Sequence, residues 1–110
     1  MVNKRTEAEQ LIDRFTLELQ NHISVSKVIL FGSQRRSQAK KWSDIDLAVI
    51  STDFKGMSPF QRMVLLGKIA WKAKTTRIEA FGYTPQEYNQ ASSYDFIYEI
   101  KRTGKILRVA

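Results

Sequence analysis

Apolar positions along this chain recur with two periods, and the switches between them divide it into elements. From Ala8 onward Leu11, Ile12, Phe15 and Leu19 fall at helical spacing, with Glu7, Asp13, Arg14 and Glu18 on the other side, so the first element is an amphipathic helix. Val25 to Phe31 is a β-branched and aromatic run bounded by Gly32-Ser33, the pattern of a largely buried strand ending in a turn. Ser33 can cap a short helix or turn after it. Gln34 to Trp42 carries Arg35, Arg36, Lys40 and Lys41 among few apolar residues, which predicts a segment solvated or turned toward an anion. A second strand follows, in which Ile45, Leu47 and Val49 alternate with Asp44, Asp46 and Ala48 and send the two acids to one face.

Ser58-Pro59 supplies a cap and a first-turn proline for a helix whose apolar stripe reads Phe60, Met63, Val64, Gly67 and Trp71, with core packing the expected role of Trp71. A third strand fits Thr76 to Phe81, Ile78 and Ala80 facing one way and Arg77, Glu79 and Phe81 the other, before a turn at Gly82-Tyr83-Thr84-Pro85. Tyr94, Ile97, Tyr98 and Lys101 predict a last helix, stopped by Gly104 in left-handed conformation, with Ile106 to Val109 a short strand or tail. No repeat, low-complexity tract or linker interrupts the order. One domain over residues 1–110 is expected, because 110 residues at 43% hydrophobic content can bury one modest core.

Charge narrows the partners. The 18 Lys and Arg against 11 Asp and Glu give a formal net charge of +7, which favours nucleotides, nucleic acid or an acidic protein surface. With no Cys and the single His22, any metal must sit on carboxylates. Met1 to Gln10 is polar and no apolar run approaches the roughly 18 residues needed to cross a bilayer, so a cytoplasmic protein with no membrane partner is expected.

Candidate chemistry comes from three features in order: Gly32-Ser33 after one strand, Asp44 and Asp46 on the next, Glu79 on the third. Singly, each has an ordinary reading as a turn, a solvated sheet face or a surface residue. Together they differ, because two aspartates one residue apart on a strand repel without a cation. Magnesium takes such hard oxygen ligands, and two ions could clamp the attacking and leaving oxygens of an in-line displacement at phosphorus. Glu79 is the best placed third carboxylate, since its strand can pair beside the Asp44 strand. Gly32 lets backbone approach a phosphate closely, Ser33 can donate to it, and Arg35 or Arg36 can add a charged fork. Ser43, also a candidate for nucleotide contact, can either cap the turn or brace Asp44.

The string Gly32-Ser33-Gln34-Arg35-Arg36-Ser37, then Ser43-Asp44-Ile45-Asp46-Leu47, resembles the Gly-Ser plus Asp-x-Asp signature of the DNA polymerase beta-like nucleotidyltransferases. In particular it is similar to their minimal branch, the MNT domain, often encoded beside a helical HEPN protein and in several pairs the antitoxin that nucleotidylates its toxin. The resemblance covers roughly Val25 to Phe81. It implies an α/β (α+β) palm-like fold, a small mixed sheet with helices packed mainly on one face. It implies that Gly32 and Ser33 bind nucleotide phosphates, with Asp44 and Asp46 on magnesium and Glu79 at the third carboxylate, a position that is often Asp. Ser37 stands where relatives often carry Gly. The implied substrate is ATP or another nucleoside triphosphate.

The expected function is therefore magnesium-dependent transfer of a nucleotidyl group, AMP from ATP, to a partner protein or other hydroxyl acceptor with release of pyrophosphate. Nothing resembling the accessory domains of larger relatives fits into the chain, so the acceptor site is expected from a partner chain of the HEPN type, with homo-oligomerisation as an accompanying route. The alternative is a binding module that neutralises its partner by complex formation, against which the retained pair Asp44 and Asp46 argues. A nucleic-acid module resting on net charge, Trp42 and Tyr83 ranks below both.

Overall fold

The structure is a computed structural model that describes residues 6–32 and 44–109. Helix α1 (Glu7–Gln20) begins in a capping box: the Thr6 hydroxyl accepts from the Glu9 amide at 3.1 Å, and the Glu9 carboxylate accepts in return from the Thr6 amide at 3.4 Å. Strand β1 (Lys27–Phe31) leads to β2 (Ile45–Ile50), and a 3-10 turn over Thr52–Phe54 leads to α2 (Pro59–Lys72). There Ser58 and Gln61 form a second capping box, with Pro59 at the first helical position as expected. Then come β3 (Ile78–Tyr83), the short α3 (Pro85–Asn89), α4 (Phe96–Thr103) and β4 (Lys105–Val109).

The four strands form one mixed sheet in the order β3-β2-β1-β4. β1 is antiparallel to both β2 and β4, whereas β2 and β3 are parallel, joined by the crossover through α2. α1 and α2 cover one face with Ile12, Phe15, Leu19, Leu66, Ile69 and Ala70 packed on Val28, Leu47 and Val49. A smaller cluster on the opposite face gathers Ile29, Ala48 and Ile50 beneath Tyr88, Ile97 and Ile100 of α3 and α4. The mixed sheet with its two long helices on one face is the expected architecture. The second cluster explains why Ala48 and Ile50, on the acidic face of β2, are nevertheless buried. Among the described residues no helix is long and apolar enough to cross a membrane.

Several local expectations are corrected. Phe60, Met63, Val64 and Trp71 do form one stripe on α2, but it faces away from the sheet: Trp71 is 76% exposed and Phe60 67%. The helix buries Arg62, Leu66, Ile69 and Ala70 instead. β3 starts at Ile78 and runs on through Gly82 and Tyr83, where a turn was expected, and Thr84, Pro85 and Glu87 then start α3 with a third capping box. The last helix starts at Phe96, leaving Tyr94 outside it and exposed. Gly104 ends that helix in extended backbone, φ −76° and ψ 164°, rather than left-handed. Its missing side chain has a steric cause, since a Cβ there would lie 2.6 Å from both the Ile100 carbonyl oxygen and Ile29 Cγ2.

Candidate active site at the open end of the sheet

The site lies where β1 ends and β2 and β3 begin. Parallel register places Asp46 of β2 directly beside Glu79 of β3, so their side chains share a face, and antiparallel register places Phe31 of β1 on the other flank of Asp46. Ile45 and Leu47, alternating with Asp46, point into the core and are fully buried, which fixes Asp46 on the outer face. Asp44 and Glu79 are exposed; Asp46 is half-buried.

Gly32 follows β1 with φ +73°, in the left-handed region that favours glycine. A Cβ at this position would collide with the Asp46 carboxylate, Oδ2 nearest, with Cγ at 3.2 Å and Cβ at 3.3 Å. The glycine therefore has two uses: it turns the chain out of β1, and it leaves room for the aspartate. Ser33, Arg35, Arg36 and Ser43, the remaining candidates for nucleotide contact, lie outside the described residues, as do Ser37 and Trp42.

Burial raises the pKa of Asp46, and the nearby charges of Glu79 and Asp44 raise it further. Asp46 thus feels both neighbouring acids across the strand ends. Among the described residues, no group of three or more His, Cys, Asp or Glu is gathered closely enough to hold a metal ion. The donor set fits a divalent cation chemically: all are hard carboxylate oxygens, and the uncompensated repulsion at Asp46 is what a cation would relieve.

Beside the acids sits an aromatic cluster that sequence patterning did not single out. Phe31 and Phe81 have ring centroids 5.9 Å apart, and Phe96 from α4 meets them edge-on at 5.7 and 6.4 Å. Its signal was half present, because Phe81 alternates in phase with Glu79; the α4 member is brought in only by tertiary packing. Phe81 and Phe96 also line a cleft of about 740 Å³, bounded further by Phe60, Met63, Tyr83 and Ile97. Asp44, Asp46 and Glu79 do not line this cleft but adjoin it through Phe81, two residues along β3 from Glu79.

Arg62, buried at the cleft wall, was also unforeseen. Its guanidinium donates to Glu87 at 2.6 Å, the Gly82 carbonyl at 3.2 Å and the Met57 carbonyl at 3.0 Å, joining α2, β3 and α3. Burial opposes the Glu87 charge, yet hydrogen bonds from Arg62 and the Thr84 amide outweigh it and lower the Glu87 pKa.

The profile of the family described as polymerase beta, nucleotidyltransferase matches residues 14–109. No curated protein matches the sequence significantly. Among solved structures, the chain is similar to a candidate nucleotidyltransferase from Sulfolobus solfataricus, with a TM-score of 0.54 and 20% identity over 82% of this chain and 84% of that one. That likeness concerns the fold, while the family match spans β1, β2 and β3 and every candidate site residue. With Gly32 at the strand end and paired carboxylates on the next two strands, the chain belongs to the polymerase beta nucleotidyltransferase family and is a nucleotidyltransferase.

Proposed function

We propose that this enzyme transfers a nucleotidyl group, AMP from ATP, to a hydroxyl of a partner protein, acting as a single domain over residues 1–110. The observation that carries the reading is the lateral pairing of Asp46 with Glu79, beside a glycine whose backbone abuts the Asp46 carboxylate. Asp44 and Asp46 are the proposed magnesium ligands, with Glu79 as the third carboxylate. Magnesium bound there would neutralise the triphosphate and polarise its α-phosphate. Gly32, Ser33, Arg35 and Arg36 would bind the phosphates, and Ser43 would brace Asp44.

In the transfer the acceptor oxygen bonds to the α-phosphorus, the bond from that phosphorus to the bridging oxygen breaks, and pyrophosphate leaves. Glu79 would take the proton of the acceptor hydroxyl as base, or act as the ligand that orients it. Its exposure on the outermost strand suits an acceptor arriving from outside the chain. The resemblance of the Gly32 to Leu47 motif to the minimal branch supports a helical acceptor of the HEPN type, with this chain as antitoxin.

The test is incubation with magnesium and α-labelled ATP, with and without the product of the neighbouring reading frame, beside Asp44→Ala and Asp46→Ala. Label on the partner with the parent chain alone supports the reading. A tight complex without label, for any nucleoside triphosphate, leaves a binding module in its place.

A further inference from the structure

The outward stripe of α2 is apolar and exposed. Phe60, Met63, Val64 and Trp71 lie opposite the buried Leu66 and Ile69, and Met63 is itself 47% exposed. At the middle of the stripe stands Gly67, where an added Cβ would meet nothing within 4 Å. A glycine inside a helix weakens it relative to alanine, and neither a positive φ nor a close internal neighbour calls for one here. A gap between two large apolar residues on an exposed helix is, however, what a second helix needs to cross closely.

Charge selects the second helix. The segment Pro59–Lys72 contains no acidic residue, and Lys68 and Lys72, each one position after a stripe residue, line one edge. Lys72 has Glu18 at 3.7 Å, an exposed pair that leaves the edge basic. A second copy crossing antiparallel at Gly67 would set these lysines against their own equivalents in a chain already carrying +7. At its N-terminal end the stripe continues into the cleft through Phe60 and Met63, and the cleft's Phe81 and Phe96 belong to the aromatic cluster beside Asp46 and Glu79.

We propose that the outer face of α2 docks an amphipathic helix of a partner protein, apolar where it crosses Gly67 and acidic along the edge that meets Lys68 and Lys72. The inference deepens the partner-acceptor reading above and rests on it, since docking there brings a partner to the cleft that adjoins the carboxylates.

Binding rather than transfer tests it. The probes are two synthetic amphipathic helical peptides with the same leucine and alanine face, one flanked by glutamate and the other by lysine. A Trp42→Phe background leaves Trp71 as the sole tryptophan. The glutamate peptide should shift Trp71 emission to the blue and bind at least about tenfold more tightly than the lysine peptide. Gly67→Leu and Met63→Glu should each weaken it by about tenfold or more, with thermal melts confirming that both variants fold. Asp46→Asn should bind as the parent does, so a failed docking site and a failed transferase give different results. Equal binding of both peptides, or binding indifferent to Gly67→Leu, overturns the proposal. So does a dimer that buries Trp71 without peptide, which makes the occupant a second copy. A blue shift with anionic phospholipid vesicles and not with the glutamate peptide overturns it in favour of a lipid surface.

Discussion

At Asp46 burial and two neighbouring carboxylates act in the same direction, and the sign of the resulting pH dependence follows. Because the folded pKa is raised, the native carboxylate is disfavoured at neutral pH. As pH falls from the raised pKa toward the ordinary value of 3.8, the folded state takes up a proton that the unfolded chain has not yet bound, and this penalty is relieved. Asp46→Asn should therefore raise the melting temperature of the metal-free protein at neutral pH, with the gain shrinking in acid, while abolishing transfer. Added magnesium should raise the parent's melting temperature and leave the variant's unchanged. Gly32 gives a second test at this scale. Gly32→Ala and Gly56→Ala both place a Cβ at positive φ, φ +73° and +83°, and each should lose about 1–2 kcal/mol in denaturant titrations. Only Gly32→Ala drives that Cβ into Asp46, whereas the space around Gly56 is open, so only the former should lose transfer.

Between elements, Arg62 is the tie to test. Arg62→Ala leaves the Gly82 and Met57 carbonyls without the guanidinium donor and Glu87 with its bond from the Thr84 amide, and should lower stability by about 2–3 kcal/mol in chemical denaturation, the open side of Glu87 letting water replace part of the loss. The Glu87 pKa is lowered, so its contribution is fully present above its ordinary value and is lost as pH falls through the lowered one. Glu87→Gln should flatten that acid limb in melts taken across pH. Arg62 also shows where sequence reasoning ends. α2 carries two stripes at helical spacing, Phe60, Val64 and Trp71 on one side and Leu66, Ile69 and Ala70 on the other. Periodicity finds both, but only the sheet decides which is buried. Gly104 and Gly82 mislead for a related reason: each is small because a distant group approaches, Ile29 in one case and, in the other, the Phe54 ring, which a Cβ at Gly82 would meet at 2.8 Å. Neither marks a left-handed turn.

For the molecule as a whole, the sheet was legible because alternating acids and aliphatics on β2 and β3 declare both their faces and their common end. Asp44, Asp46 and Glu79 stand out as candidates from that alternation, and Gly32 from its place after β1. The contact between Gly32 and Asp46 does not, because it depends on the antiparallel packing of β1 against β2. The aromatic cluster escaped for the same reason, needing α4 folded back over the sheet. The molecule that results is a basic nucleotidyltransferase in which Glu79, the proposed third carboxylate, sits on an outer strand near an apolar cleft. In the proposed mechanism Asp44, Asp46 and Glu79 act as one carboxylate site. The most direct measurement is transfer of label from α-labelled ATP, in magnesium, by the parent chain and by Asp44→Ala, Asp46→Ala and Glu79→Gln in the presence of the neighbouring reading frame's product. Labelled partner is expected with the parent, and a loss of about a hundredfold or more in each variant. Label that persists undiminished in Asp46→Ala would contradict it.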